Sequence, residues 1–407
     1  MSSRFAISWV AAGFAALTGC SGGAYSKVAP SGDMPAQRLS NATVNETVLH
    51  RFMGGAMDGS TPISGLAKGG NLLYGTSADG GAYNKGTIFS IASDGSKFTV
   101  LYSFKGGADG HGSEAGLINV GGTFYGTTEV GGTNDKGTVF AITPAGAFRT
   151  LYSFKGGSGD GAKPMTALTN VRGTLYGTTA SGGSAGGFTN SGTVFSISTT
   201  GQEKIRYFFR SNKDDGAQPM SQLVYVGGKL YGTTALGGVG GAFGNGTIFS
   251  VTTSGNETVL YRFKDDFDGN CNFNCFLTNL DGTLYGTAHN GGKNRLGSIF
   301  SITTAGAFKT LYNASLKGAA GGQPSAALTP VAGMVYGTMS VGPVGTNNGT
   351  VFSVTTGGAL TVLYSFGGGS DGANPSARLS LVGRELFGTT AHGGGKNAGT
   401  IYSIAGF

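Results

Sequence analysis

One short phrase, Leu-Tyr-Gly-Thr, returns along nearly the whole chain and limits what the chain can become. The Tyr-Gly-Thr triplets (once Phe-Gly-Thr) start at Tyr74, Tyr125, Tyr176, Tyr231, Tyr285, Tyr336 and Phe387, spaced by 51, 51, 55, 54, 51 and 51 residues. Seven copies of a unit of this length imply a propeller, a solenoid or an array. A length of 407 residues would otherwise suggest two or three domains. A single closed ring absorbs it as one. The 79 glycines are periodic and separate apolar runs, so they mark turns rather than low complexity.

Four apolar segments can be followed through each repeat. The first has the form Pro-x-x-x-Leu and ends at Leu66, Leu117, Leu168, Leu223, Leu277, Leu328 and Leu379. The second is the Leu-Tyr-Gly-Thr phrase. The third, Gly-Thr-Ile/Val-Phe-Ser-Ile, carries its aromatic at Phe89, Phe140, Phe195, Phe249, Phe300, Phe352 and Tyr402. The fourth, Val-Leu-Tyr-Ser-Phe, ends at Phe104, Phe154, Phe209, Phe263 and Phe366, and degenerates once to Leu311-Tyr312-Asn313-Ala314. All are short, β-branched or aromatic, and bounded by turn residues, which are strand signals. Both alternating faces are apolar, so each strand must be covered on both sides. Sandwiched propeller blades meet that demand, and no segment after the N-terminal leader has a helical period.

The ends of the repeat array favour a ring. A fourth-type segment, Glu46 to Phe52, precedes any first segment, and the last repeat stops after its third, at Ile404. The N-terminal strand therefore supplies what the final blade lacks, which predicts an all-β, seven-bladed β-propeller of four-stranded blades over 46–407. An open solenoid would carry polar caps at both ends instead. Two connections per repeat are long and glycine-rich, and alternate connections of an up-and-down blade share a face. Both long loops are thus expected on one rim, where function usually lies.

The repeated unit resembles the GloVer tandem repeat, found in proteins described as choice-of-anchor, and the resemblance covers all seven copies. It implies fold and surface tethering and brings no activity with it. Before the repeats, Arg4 and the apolar run Phe5 to Leu17 read as a secretory signal over 1–19. Leu17-Thr18-Gly19-Cys20 is similar to the bacterial lipobox, which implies lipid attachment at Cys20. Ser21 stands where Asp would signal inner-membrane retention. The expected location is therefore the bacterial cell envelope, with the outer membrane or cell surface favoured. Residues 20–45 read as a flexible Ser/Gly/Pro tether.

Chemistry is sparse in this chain. Asp-Gly recurs in the fourth-to-first loops at Asp58, Asp109, Asp160, Asp215, Asp268 and Asp371. Asp can accept a bond from the N–H two residues on while Gly supplies positive φ, so a turn role is expected. Ca²⁺ or glycan binding is the alternative, although one Asp per loop falls short of six to eight oxygens. Cys271 and Cys275 are expected to form a disulfide outside the cytoplasm. An extended strand would hold them about 13 Å apart, so the stretch must turn. Zinc would need two further ligands.

His289 and His392 occupy equivalent second-to-third loops and are candidates for ligand contact or for a general base. Neither has a nucleophile or acid at a recognisable spacing. The formal charge of +7 is scattered rather than clustered, which argues against nucleic acid. The expectation is a lipid-anchored binding or scaffold module for a glycan or protein. The alternative is an envelope polysaccharide hydrolase or lyase.

Overall fold

Glycine sits in the middle of every second strand because an aromatic ring lies over it. Gly177 pairs across the sheet with Phe195, and a Cβ there would run into that ring and into Leu168. The same socket joins Gly75 to Phe89, Gly232 to Phe249 and Gly388 to Tyr402. A mid-strand glycine normally weakens a sheet. Here it admits a fully buried ring from the third strand, and the Tyr-Gly-Thr phrase records that fit.

The computed structural model describes residues 44–239, 244–264 and 268–407, with the backbone alone at 272–274. The expected signal at 1–19, Cys20 and most of the tether lie outside these residues. Within them there is no helix. Each repeat forms an antiparallel sheet in the order first, second, third, fourth segment. Thr169–Val171, Thr174–Thr179, Thr193–Ser198 and Glu203–Phe208 form the sheet built around Tyr176. Seven such sheets make a seven-bladed β-propeller, with blades numbered here from Tyr74. Blades four and six gain one strand more, Gly216–Pro219 and Gly322–Pro324.

Burial orders the strands from axis to edge. Second and third strands are buried almost throughout, whereas fourth strands are only half-buried. First segments of neighbouring blades touch one another: the Gln222 amide donates to the Leu168 carbonyl at 3.1 Å and Asn119 to Lys68 at 2.9 Å. The first strand is therefore innermost and the fourth outermost. Apolar clusters lie between blades. One joins Val139 and Phe154 of blade two to Leu168 and Phe195 of blade three. No blade buries its own faces alone, which is why the copies must stack.

The N-terminal strand closes the ring. Asn45–Arg51 pairs antiparallel with Thr400–Ala405, from Asn45 opposite Ala405 to Arg51 opposite Thr400. Its register shifts between Val48 and His50. In the sheet of Tyr176 the shift comes at the equivalent place, between Tyr207 and Ile205. The closing strand thus carries the same β-bulge as an ordinary fourth strand. Phe52 is fully buried in a cluster with Leu66, Phe89 and Ile401. The degenerate fourth segment also forms a regular strand, Phe308–Asn313. Ala314 is fully buried where the other blades place Phe.

Both long loops meet on one rim. Gly161–Ala162 of a fourth-to-first loop pairs with Ser181–Gly182 of the second-to-third loop that follows. Gly59–Ser60 pairs likewise with Asp79–Gly80. Beneath these ribbons, second and third strands share a buried hydroxyl pair, Thr179 with Thr193 at 2.8 Å and Thr234 with Thr247 at 2.9 Å.

Candidate functional site on the long-loop rim

The six Asp-Gly carboxylates are acceptors for groups of their own blade. Asp160 takes a hydrogen bond from the Tyr152 hydroxyl at 2.9 Å, from the Lys155 N–H at 2.7 Å and from the Gly161 N–H at 2.7 Å. Asp215 repeats this with Tyr207, Arg210 and Gly216. Tyr102 donates to Asp109, Tyr261 to Asp268 and Tyr364 to Asp371. At Asp58 the partner is His50, 3.3 Å away. The partner expected from the sequence is thereby corrected, while the loop-holding role stands. The carboxylate bridges back to the end of the fourth strand instead of to an N–H two residues on. Its glycine has the expected positive φ in three of the six, Gly110, Gly269 and Gly372, whereas Gly59, Gly161 and Gly216 do not and serve close approach: a Cβ on them would overlap Ser77, Thr179 and Thr234.

No two of these aspartates share a site. Among the described residues no three His, Cys, Asp or Glu side chains gather as they would around a metal. His289 and His392 stay two blades apart, with blade six between them. Burial lowers the pKa of the His289 imidazole, and its Nδ1 has no hydrogen-bond partner. His392 bridges to Ala373 through its backbone. Cys271 and Cys275 are joined, with Cα atoms 5.0 Å apart. The strand Asn270–Leu280 shifts register between Asn270 and Cys275 to make that approach.

A second carboxylate stands beside three of the Asp–Tyr pairs, and the sequence reading missed it. The residue six before the terminal Phe of a fourth segment lies against the preceding blade's tyrosine. Where it is Phe, the rings stack: Phe148 on Tyr102 at 4.1 Å and Phe308 on Tyr261 at 4.0 Å. In three blades it is Glu46, Glu203 or Glu257. Each has a buried Oε1 without a hydrogen-bond partner. Burial, and then the charges of Asp371 and Asp160, push Glu46 and Glu203 up to about 7. Burial and Asp215 push Glu257 to about 8. Glu203 opens, with Tyr152, Lys155 and Asp160, onto a cavity of about 560 Å³.

The family model for the Gloeobacter/Verrucomicrobia repeat matches residues 28–239 and 184–345. The chain belongs to that repeat family. No curated protein matches it. Among solved structures, the repeat-family fold is similar to a putative 6-phosphogluconolactonase from Bacteroides uniformis. That match has TM-score 0.52 and 16% identity, over 78% of this chain and 88% of the other. It is also similar to a puromycin hydrolase complexed with PGG, at TM-score 0.51 and 12% identity, over 81% of this chain and 50% of that one. Identities this low show the fold alone.

On this repeat scaffold most of the exposed large hydrophobic residues stand on the long loops. Seven large hydrophobic side chains are exposed among the described residues. Six of them, Met53, Met57, Tyr83, Phe188, Val239 and Val344, stand on long loops. Met57 is 88% and Val344 74% exposed. Only Leu381 lies elsewhere, on an inner strand. The sequence could have disclosed these positions, because they are large residues inside Gly-rich loops.

Proposed function

We propose that this protein is an extracytoplasmic binding or scaffold module, lipid-anchored at Cys20, that captures a protein partner on its long-loop rim. The exposed rim hydrophobics carry the reading. Isolated apolar residues on a surface need no explanation, but a set confined to one face does. Methionine and valine suit the irregular apolar surface of a protein better than the flat face of a sugar. The paired loops hold the rim in shape before contact, which limits the ordering cost of association. The aspartates serve the reading indirectly, by fixing those loops.

Site-specific photo-crosslinking in the envelope tests this. Probes at Met57 and Val344 should trap one defined partner, while a probe at Thr200, in a tight turn of the opposite rim, should not. The same adducts from both rims, or none from the long-loop rim, would overturn it. A glycan array on the same chain decides between a protein and a sugar ligand.

A further inference from the structure

The residue before the leucine of each first segment lies against the first segment of the preceding blade, as the Gln222 amide does on the Leu168 carbonyl. In blades one to three and six it is small, Gly65, Gly116, Ala167 and Ala327, and in blades four and five it is Gln222 and Phe276. In blade seven it is Arg378. Ala377 and Leu379 are buried in the blade, whereas Ser376, Arg378 and Ser380 form the partly exposed alternate set. A Cβ on Gly65 would lie 3.1 Å from the Arg378 carbonyl, and one on Gly116 would lie 3.3 Å from the Gly65 carbonyl. These segments therefore close around the axis where the long loops enter it. The small neighbours leave Arg378 room.

The guanidinium of Arg378 makes no hydrogen bond and no ion pair among the described residues. Two hydroxyls at the same blade boundary are also unsatisfied. In six blades the first Thr after the Tyr-Gly pair donates to the next blade's entering segment. Thr127 reaches the Thr166 carbonyl at 3.1 Å, Thr233 reaches Cys275 at 2.8 Å, and Thr389 reaches Ser64 at 3.3 Å across the closure. Its counterpart between blades six and seven, Thr338, has a buried Oγ1 with no partner, and so does Ser376. Glu114, on the entering segment of blade two, is pushed up to about 7 first by burial and then by the charges of Glu129 and Asp79, and Arg378 does not act on it.

An unpaired guanidinium and two idle buried hydroxyls at one blade boundary call for an acceptor, because unpaired buried hydroxyls are costly to enclose. We propose that the boundary of blades six and seven, at the rim end of the axis, binds an anionic oxygen group through Arg378 with Ser376 and Thr338. The ligand class is a carboxylate or a phosphate, both of which match the planar fork of arginine. The proposal shares the long-loop face with the functional reading above and names a chemical group that a partner there would present.

Titration calorimetry of the full chain with inorganic phosphate, acetate and glucuronate, at constant ionic strength, tests it. Saturable binding with a Kd of about 1 mM or tighter is expected for at least one anion. Phosphate or the carboxylates will identify the source. Arg378→Ala should weaken binding at least tenfold, Arg378→Lys and Ser376→Ala by less, and the exposed-site control Arg384→Ala not at all. Melting temperatures in anion-free buffer check folding, and Arg378→Gln replaces the alanine variant if that one fails to fold. No saturable binding by any of the three anions, or equal binding by the folded Arg378 variants, would refute the site. Small anions and an isolated chain make this result independent of whether a rim partner exists.

Discussion

Glu257 should make the propeller less stable as pH rises, and Glu257→Gln should remove that loss. The native carboxyl is held at about 8, against 4.5 for the free group, first by burial and then by Asp215. The Tyr207 hydroxyl has one proton and already gives it to Asp215 at 2.8 Å. An ionised Glu257 would therefore face a second carboxylate across that phenol, with a buried oxygen and no donor. The folded chain keeps its proton where the unfolded chain has released it. Stability is thus fully present below pH 4.5 and is lost as pH rises through about 8. At 1.36 kcal/mol per pH unit the gap sets an upper bound of about 5 kcal/mol, and partial exposure of Glu257 brings the expectation to about 1–3 kcal/mol.

Thermal melts of the parent and Glu257→Gln between pH 4 and 9.5 measure this. The two should coincide below about pH 5. Above pH 8 the variant should melt higher by about 1–4 °C, the shift that 1–3 kcal/mol gives in a domain of this size. Glu46→Gln and Glu203→Gln should follow, with their rise centred lower, near 7. A difference that does not change with pH would sink the argument. So would a variant that is less stable at pH 9, since Glu257 would then be ionised and paired with Arg262 or Arg210.

Three further outcomes are expected. Deleting residues 21–43 should leave the melting temperature nearly unchanged, because Val44 already packs against the cluster of Tyr402 and Ile404, whereas extending the deletion through Phe52 should cost several kcal/mol and expose the edge of Thr400–Ala405 to association; calorimetry and light scattering compare the two. Tyr402→Phe should stabilise by about 1 kcal/mol, because the fully buried Tyr402 hydroxyl has no partner and six blades already use Phe there; urea titration reads it. Cys20→Ala should release the protein from the membrane fraction and abolish labelling by a palmitate probe.

The sequence makes the ring legible because every blade solves the same packing problem. Gly177 under Phe195, Thr179 against Thr193 and Asp160 on Tyr152 are one solution repeated, so each leaves a periodic trace. The same periodicity hides what each trace is for. Asp-Gly looked like a self-contained turn, yet its partners are the Tyr and the backbone at the end of the preceding strand, a closure visible only once the loop is folded. Glu203 and Glu257 were harder still. Their neighbours Tyr152 and Tyr207 lie on the preceding blade, so nothing within one repeat announces the contact.

Regularity itself bears on where function can lie. A group present in six of seven blades, as the aspartates are, meets a need that every blade has, and that need is to hold a loop. A ligand approaching one molecule meets each blade boundary only once, so its contacts have no reason to repeat. They belong where the columns break. Arg378 is the one charged residue in a column of Gly65, Gly116, Ala167, Gln222, Phe276 and Ala327, Thr338 is the one hydroxyl of its column left without a carbonyl, and Met57 and Val344 project from their loops as exposed apolar side chains. Aligning the seven repeats and reading their exceptions, rather than their consensus, would have brought out Arg378, Glu46, Glu203 and Glu257 from the sequence. What no alignment of the repeats supplies is that Thr338, Ser376 and Arg378 come to one boundary, because that follows from the ring placing blade six's second strand against blade seven's entering segment.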